Sequence, residues 1–189
     1  MKIYFHLSLE EFTNCYLITN DAGEKKEALI IDPGKINEKM IEQIEAGPYN
    51  LTGVLITHNH TNHVSGLSTL NKIYSPSVYA GDYEVSGTRT ILLRGDGEIE
   101  VAGLKVEYYS VPGHTMDSLV YKIGDVLFTG DTLTSGIIGG TSSIYSKELL
   151  KAKIDEKIFS QTDRTVIMPG HGPPSTVMSE RLYNLDISR

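Results

Sequence analysis

Within residues 57–66, THNHTNHVSG, three histidines fall in six positions: His58, His60 and His63. Two more, His114 in VPGHT and His171 in MPGHGPP, sit in turns marked by proline and glycine, and of the six histidines only His6 lies elsewhere. One histidine in a turn is commonly a surface residue or a hydrogen-bonded core side chain. Five at strand ends point instead to a shared role. Neutral imidazole offers a lone pair near pH 7 and is the commonest metal ligand, and zinc accepts such a nitrogen at about 2.0–2.1 Å. His58 and His60, two apart, point the same way from an extended segment, and His63 on the following turn can face a second centre.

An acid joins them. Asp131 in FTGDT follows the apolar run 125–130, and Gly130 beside it has no side chain to obstruct a cation. Alone, an aspartate after a glycine reads as a turn residue; beside the histidines it is a candidate ligand. Asp32 in IIDPG is also a strand-end acid, expected to fix a turn or to support a ligand from behind rather than to bind metal itself. Between His60 and His63 stands Asn62, where a hydrolytic metal site would be expected to use a carboxylate.

Strands and helices must bring these residues together. Residues 14–19 (NCYLIT) and 27–34 (EALIIDPG) are short apolar runs separated by Asn20-Asp21-Ala22-Gly23, and they read as paired strands. Over 36–47, Ile36, Met40, Ile41 and Ile44 recur at helical spacing, and the helix ends near Gly47-Pro48. LTGVLIT (51–57) is a buried strand that delivers THNHTNH at its C-terminal end, ahead of an expected helix over 64–73. Open α/β architectures place ligand sites at such strand ends. Residues 77–81, 97–103, 104–111, 118–124 and 125–130 read as short alternating strands with glycine turns. A helix over 144–159, a strand over 165–170 and a short helix near 179–185 complete the order, which suggests sheets packed together with helices outside.

A chain of 189 residues is expected to form one domain, 1–189, large enough to bury a core without disulfides. The lone cysteine, Cys15, has no partner within the chain and reads as a small buried hydrophobe. The start, MKIYFHLSLEE, lacks a basic region followed by an apolar run, so a reduced, cytoplasmic protein is expected. No stretch approaches the roughly 18 apolar residues of a membrane span. A net charge of −7 without a long Lys/Arg cluster argues against nucleic acid or anionic lipid as the main partner. The expected partner is a small molecule, and no feature fixes an oligomeric state.

Taken in order along residues 10–180, NCYLI, IIDPG, THNHTNH, VPGHT, FTGDT and MPGHGPP resemble the metallo-β-lactamase superfamily, in particular its small glyoxalase II-like members. The resemblance implies an α/β fold, the αββα four-layer sandwich, with the site at one edge between two sheets. It implies that His58, His60 and His114 hold one metal, that position 62, His63 and His171 hold a second, and that Asp131 bridges them. Three departures stop the substrate from transferring. Asn62 replaces the motif aspartate; the segment after Asp131 runs GDTLTSGIIGGTSS, with Thr134 for an aromatic residue and Gly140 where an arginine would fall. A chain of this length is also expected to lack the helical domain by which glyoxalase II enzymes hold glutathione thioesters.

The amide oxygen of Asn62 is neutral and a much poorer zinc ligand than a carboxylate. At ~4 Å and an effective dielectric of about 20, a unit charge against a divalent ion is worth roughly 8 kcal/mol before desolvation. Losing a third of that costs about a hundredfold in affinity. One tight metal and one weak or absent metal are therefore expected, with zinc first and iron or manganese as alternatives. A zinc held by three histidines acidifies its water to a pKa of about 7 and polarises a carbonyl, which suits hydrolysis of a small ester, thioester or lactone. Asp131, His63, His171 and Asn62 are the candidate catalytic residues, His63 and His171 as proton donors or acceptors and Asn62 as a hydrogen-bond donor. Two alternatives stand beside this reading: a mononuclear iron oxygenase of the persulfide dioxygenase type using His58, His114 and Asp131, and a metal-binding protein with little or no activity. Asn62 is compatible with natural divergence and with a change made to silence an enzyme. The loop 134–143 is expected to be mobile and to shape substrate choice, with Tyr145 after it as a candidate pocket residue; Tyr108, Tyr109 and Tyr121 read as core or rim.

Overall fold

The computed structural model of the chain describes residues 1–9, 11–22 and 25–187. In chain order the first half runs β1 (Lys2–Leu7), β2 (Asn14–Asn20), β3 (Glu27–Ile31), α1 (Glu38–Ala46), β4 (Asn50–Leu55), α2 (Thr61–Val64), α3 (Leu67–Ile73), β5 (Ser77–Ala80), β6 (Glu84–Val85), β7 (Thr88–Arg89) and β8 (Ile91–Leu92). The second half runs β9 (Gly97–Val101), β10 (Leu104–Ser110), β11 (Leu119–Ile123), β12 (Val126–Gly130), β13 (Leu133–Thr134), β14 (Ile137–Ile138), α4 (Ile144–Lys157), β15 (Val166–Pro169), β16 (Ser175–Thr176) and α5 (Val177–Tyr183). Among the described residues these strands form two six-stranded sheets, ordered β1-β2-β3-β4-β5-β8 and β16-β15-β12-β11-β10-β9, and two small hairpins.

Alternation along the strands sorts side chains into three apolar layers. On β2, Cys15 and Leu17 face one way and join Met40 and Ile44 of α1 and Leu67 and Leu70 of α3. Tyr16 and Ile18 face the other way and meet Val106, Tyr121 and Phe128 of the second sheet. On that sheet's far side, Val120, Leu127 and Ile167 pack against Leu150 and Ile154 of α4 and Val177 of α5. Three such interfaces make four layers, α-β-β-α. Each fully buried Leu, Ile or Phe contributes about 1.5–3 kcal/mol relative to exposure, so neither sheet can turn over without losing an interface.

Three expectations need correction. The helix expected over 64–73 is two pieces, because the Gly66 N–H leaves the helical ladder to bond Pro33 O at 2.9 Å and thereby docks the segment after β3. The final helix begins earlier than 179, at Val177, where the Thr176 hydroxyl accepts from Ser179 N. Strand β1 was not expected at all. It is an edge strand, only half buried, and pairs antiparallel with β2 from Lys2↔Thr19 to Leu7↔Asn14, so it shows no clean alternation. The turn expected at 20–23 falls partly outside the described residues, at Gly23. Among the described residues no helix is long and apolar enough to cross a membrane.

Candidate metal centre

Parallel pairing puts the C-terminal ends of neighbouring strands side by side. β3 pairs parallel with β4, and β12 with β15. The residues just beyond those four ends are Asp32, Thr57-His58, Asp131 and His171. His60 caps the start of α2, His63 lies on it, and His114 comes from the loop between β10 and β11. The structure thus brings together five histidines and Asp131. The ligand-capable atoms of His58, His60, His114 and Asp131 all lie within 4.8 Å of one another, as do those of His63, Asp131 and His171.

Asp131 stands between the two groups. Its Oδ2 is 3.9 Å from His58 Nε2, 3.8 Å from His114 Nε2 and 3.4 Å from His171 Nε2, and its Oδ1 is 3.3 Å from His63 Nε2. The approach depends on Gly170: a Cβ there would fall 2.5 Å from Asp131 Oδ1 and 2.5 Å from His63 Cε1. Gly130, at φ +51°, lets β12 close on Thr57 as its lack of a side chain suggests.

The outer nitrogens settle which ring atoms face inward. Thr57 Oγ1 donates to Asp32 Oδ2 at 2.6 Å, so it must accept from His58 Nδ1 at 3.0 Å. Asp32 Oδ2 accepts from His63 Nδ1 at 2.9 Å, Gly140 O from His114 Nδ1 at 2.7 Å, and Phe12 O from His171 Nδ1 at 2.8 Å. With Nδ1 turned outward on all four rings, it is their Nε2 atoms that face the centre, where each offers a lone pair once its ring is neutral. His60 presents Nδ1, 2.9 Å from His58 Nε2 and 3.1 Å from His114 Nε2. Oxygen acceptors behind inward-facing imidazoles are the arrangement that metal-binding histidines use.

The electrostatics agree. Burial, reinforced by the neighbouring His63, pushes His58 down to about 2, so it is neutral. For His63 burial pulls down, but the charges of Asp32 and Asp131 outweigh it and raise the ring to about 10. Asp131 also lifts His171, by a side-chain contact stronger than the opposing burial. Burial works to raise the Asp131 carboxyl, yet the side-chain contacts and electrostatic pull of His171 and His63 hold it well below the usual carboxylate range. The second group therefore draws positive charge. His63 Nε2 and Asp131 Oδ1 are buried and have no hydrogen-bond partner among the described residues, the 3.3 Å between them notwithstanding. Both belong to the group His63, Asp131 and His171, where a cation would satisfy them.

Asn62 departs from that pattern. Thr13 Oγ1 donates to Glu11 O at 3.3 Å and so accepts from Asn62 Nδ2 at 3.1 Å. The same amide nitrogen lies 3.1 Å from His171 Nε2. The amide thus turns hydrogen, not oxygen, toward the second group.

Other expectations divide. Asp32 is buried and accepts from Thr57 N at 2.8 Å as well, so it stands behind the cluster as expected. Cys15 is buried, with its thiol pushed up by burial. Tyr145 is 79% exposed on the first turn of α4. The loop 134–143, expected to be mobile, is partly a hairpin: Gly136 N donates to Glu180 at 3.1 and 3.2 Å, Gly136 O accepts from Leu185 N, and Ile138 N donates to Asp186. Three orienting residues escaped the sequence reading. Thr57 adjoins His58 and could have been suspected; Phe12 and Thr13 lie some 160 and 50 positions from the His171 ring and the Asn62 amide that they orient, with no local signal.

Residues 9–91 and 80–181 match the family described as the Metallo-beta-lactamase superfamily. A similar protein of Bacillus subtilis, described as a probable metallo-hydrolase, YqgX, is 28% identical, with 90% of each chain covered. A hydroxyacylglutathione hydrolase of Chromohalobacter salexigens is 32% identical over 82% of this chain, which spans 60% of that protein. The crystal structure of ETHE1 from Myxococcus xanthus superposes with a TM-score of 0.89 at 26% identity, covering 100% of this chain and 85% of that one.

Proposed function

The chain belongs to the metallo-beta-lactamase superfamily, and within it we propose that it is a metal-dependent hydrolase of a small ester, thioester or lactone, with one strong cation site and one weakened by Asn62. The observation that carries this reading is the convergence of inward-facing ring nitrogens backed by outward hydrogen bonds, together with the unpartnered His63 Nε2 and Asp131 Oδ1. Those donors fit a divalent cation such as zinc, or iron or manganese. His58 Nε2, His60 Nδ1, His114 Nε2 and Asp131 would hold the first cation, and His63, His171 and Asp131 the second. A bound cation supplies Lewis acidity toward a carbonyl and lowers the pKa of water.

The chain's own residues do the rest. Asp131 spans both groups and fixes their spacing. Thr57, Gly140 and Phe12 hold the rings so that no reorientation is needed when substrate arrives. Asn62 donates toward His171 and so competes with a second cation for the same lone pair. With that cation weak, His63 and His171 are left to accept or deliver a proton at Nε2. The names of the relatives, a probable metallo-hydrolase and a hydroxyacylglutathione hydrolase, support hydrolysis. On this reading the partner is a small molecule rather than nucleic acid or membrane, and the protein acts in the cytoplasm as a single domain.

A second reading, a mononuclear iron oxygenase, draws on His58 Nε2 and His114 Nε2 standing 3.9 and 3.8 Å from Asp131 Oδ2. Elemental analysis with two assays separates the readings. Zinc with turnover of an ester, thioester and lactone panel supports hydrolysis; iron with oxygen uptake and no hydrolysis overturns it.

A further inference from the structure

Beside the histidine cluster lies an apolar cavity of about 430 Å³, lined by Phe5 and Leu7 of β1, by Phe12 and Asn14, and by Pro173-Pro174. It shares its wall with the site. Phe12 O accepts from His171 Nδ1 at 2.8 Å, and Gly172, which follows His171, accepts at its carbonyl from Asn14 Nδ2 at 2.8 Å. We infer that this cavity receives the apolar acyl group of the substrate while its scissile carbonyl lies at the cluster.

Three observations carry the assignment, which rests on the hydrolase reading. Phe5, Leu7 and Phe12 are 47%, 41% and 67% exposed, a contiguous apolar rim that an isolated surface would not be expected to present. Phe12 is held at φ +53°, a conformation that bulky side chains rarely adopt; its carbonyl is fixed by His171 and its ring is committed to the cavity wall. Asn14 is buried, spends Nδ2 on Pro169 O and Gly172 O, and leaves Oδ1 with no donor among the described residues. The polar atoms of Asn14 are thus withdrawn from the cavity, and the wall that faces it is apolar, as the lining of small-molecule pockets predominantly is. At about 30 Å³ per water-sized group, a volume of about 430 Å³ holds roughly fourteen such groups, ample room for an octanoyl chain.

The test uses the metal-loaded protein and two readouts. Thioesters and esters from acetyl to octanoyl should show kcat/KM rising with length, by at least roughly tenfold from end to end. Calorimetry should show octanoate binding at least tenfold more tightly than acetate, a comparison that cancels any carboxylate–metal contact. Leu7→Ser should reduce both ratios to within about threefold; Phe5→Ser serves the same purpose if Leu7→Ser fails to fold. Turnover with a flat length profile and equal binding of the two acids overturns the subsite and leaves the hydrolase reading standing. Octanoate binding that Leu7→Ser abolishes, with no ester or thioester turned over, keeps the subsite and sinks the hydrolase reading. A dimer that Leu7→Ser dissociates, without preferential octanoate binding, assigns the rim to a second copy of the chain and overturns the proposal.

Discussion

The Asn62 amide nitrogen lies 3.1 Å from His171 Nε2, on the lone pair that a second cation would need. Thr13 fixes the amide in that orientation, since its hydroxyl hydrogen is directed to Glu11 O and its oxygen can only accept.

Asn62→Asp removes the competing hydrogen and adds a charge without changing side-chain size. Thr13 can then donate to the new carboxylate. The second cation should bind about a hundredfold more tightly, and hydrolysis should rise with it. Equilibrium metal counts on parent and variant decide the matter. Two ions held equally tightly by the parent would show the amide to be an adequate ligand.

His114 and His171 should respond differently to removal. His114→Ala strips one of three nitrogens from the first group and should weaken the tight metal by roughly a hundredfold or more, since even the loss of an orienting partner behind a ligand costs 10–100-fold. His171→Ala should leave that metal in place. Elemental analysis after dialysis reads both, and full occupancy in His114→Ala would refute the ligand assignment.

Asp32 accepts three hydrogen bonds while buried and sits at φ +50°, which asparagine tolerates. Asp32→Asn therefore tests the charge and not the backbone. An amide must aim a hydrogen at Thr57 or at His63, leaving a buried clash, and the variant should lose about 2–4 kcal/mol in denaturant unfolding. A loss below about 0.5 kcal/mol would mean that Asp32 does not hold His63 and Thr57 in place.

The metal-free protein should be most stable near neutral pH. His58 is held down at about 2 in the folded state, so below its ordinary value of about 6.5 the unfolded chain takes up a proton that the folded chain does not. That contribution is lost as pH falls from about 6.5 toward 2. His63 runs the other way: raised to about 10, it stabilises fully below about 6.5, and that stabilisation disappears as pH climbs from there through 10. Each limb should slope by up to about 1.4 kcal/mol per pH unit. Denaturant midpoints of chelator-treated protein across pH 4–10 measure it. Metal loading should flatten the alkaline limb, because a cation at His63 Nε2 replaces the proton; a limb unchanged by metal would place His63 outside any cation site.

Much of this protein was legible in order of residues alone. A short apolar run at residues 14–19 and short segments with glycine turns over 118–130 revealed strands, and helical spacing at Met40 and Ile44 revealed a covering helix, because burial follows the period of the local backbone. Glycine- and proline-marked turns exposed the five histidines and Asp131 as a set, since ligands cluster at strand ends. What hydrogen-bonds to what was not legible. Phe12 and Thr13 reach His171 and Asn62 across long stretches of chain, and an edge strand such as β1 carries too weak an alternation to announce itself. The sequence determined that position 62 is an amide; only the packed structure decided that this amide turns its hydrogen to His171, because a hydrogen bond's direction depends on the whole set of donors and acceptors that folding brings within reach.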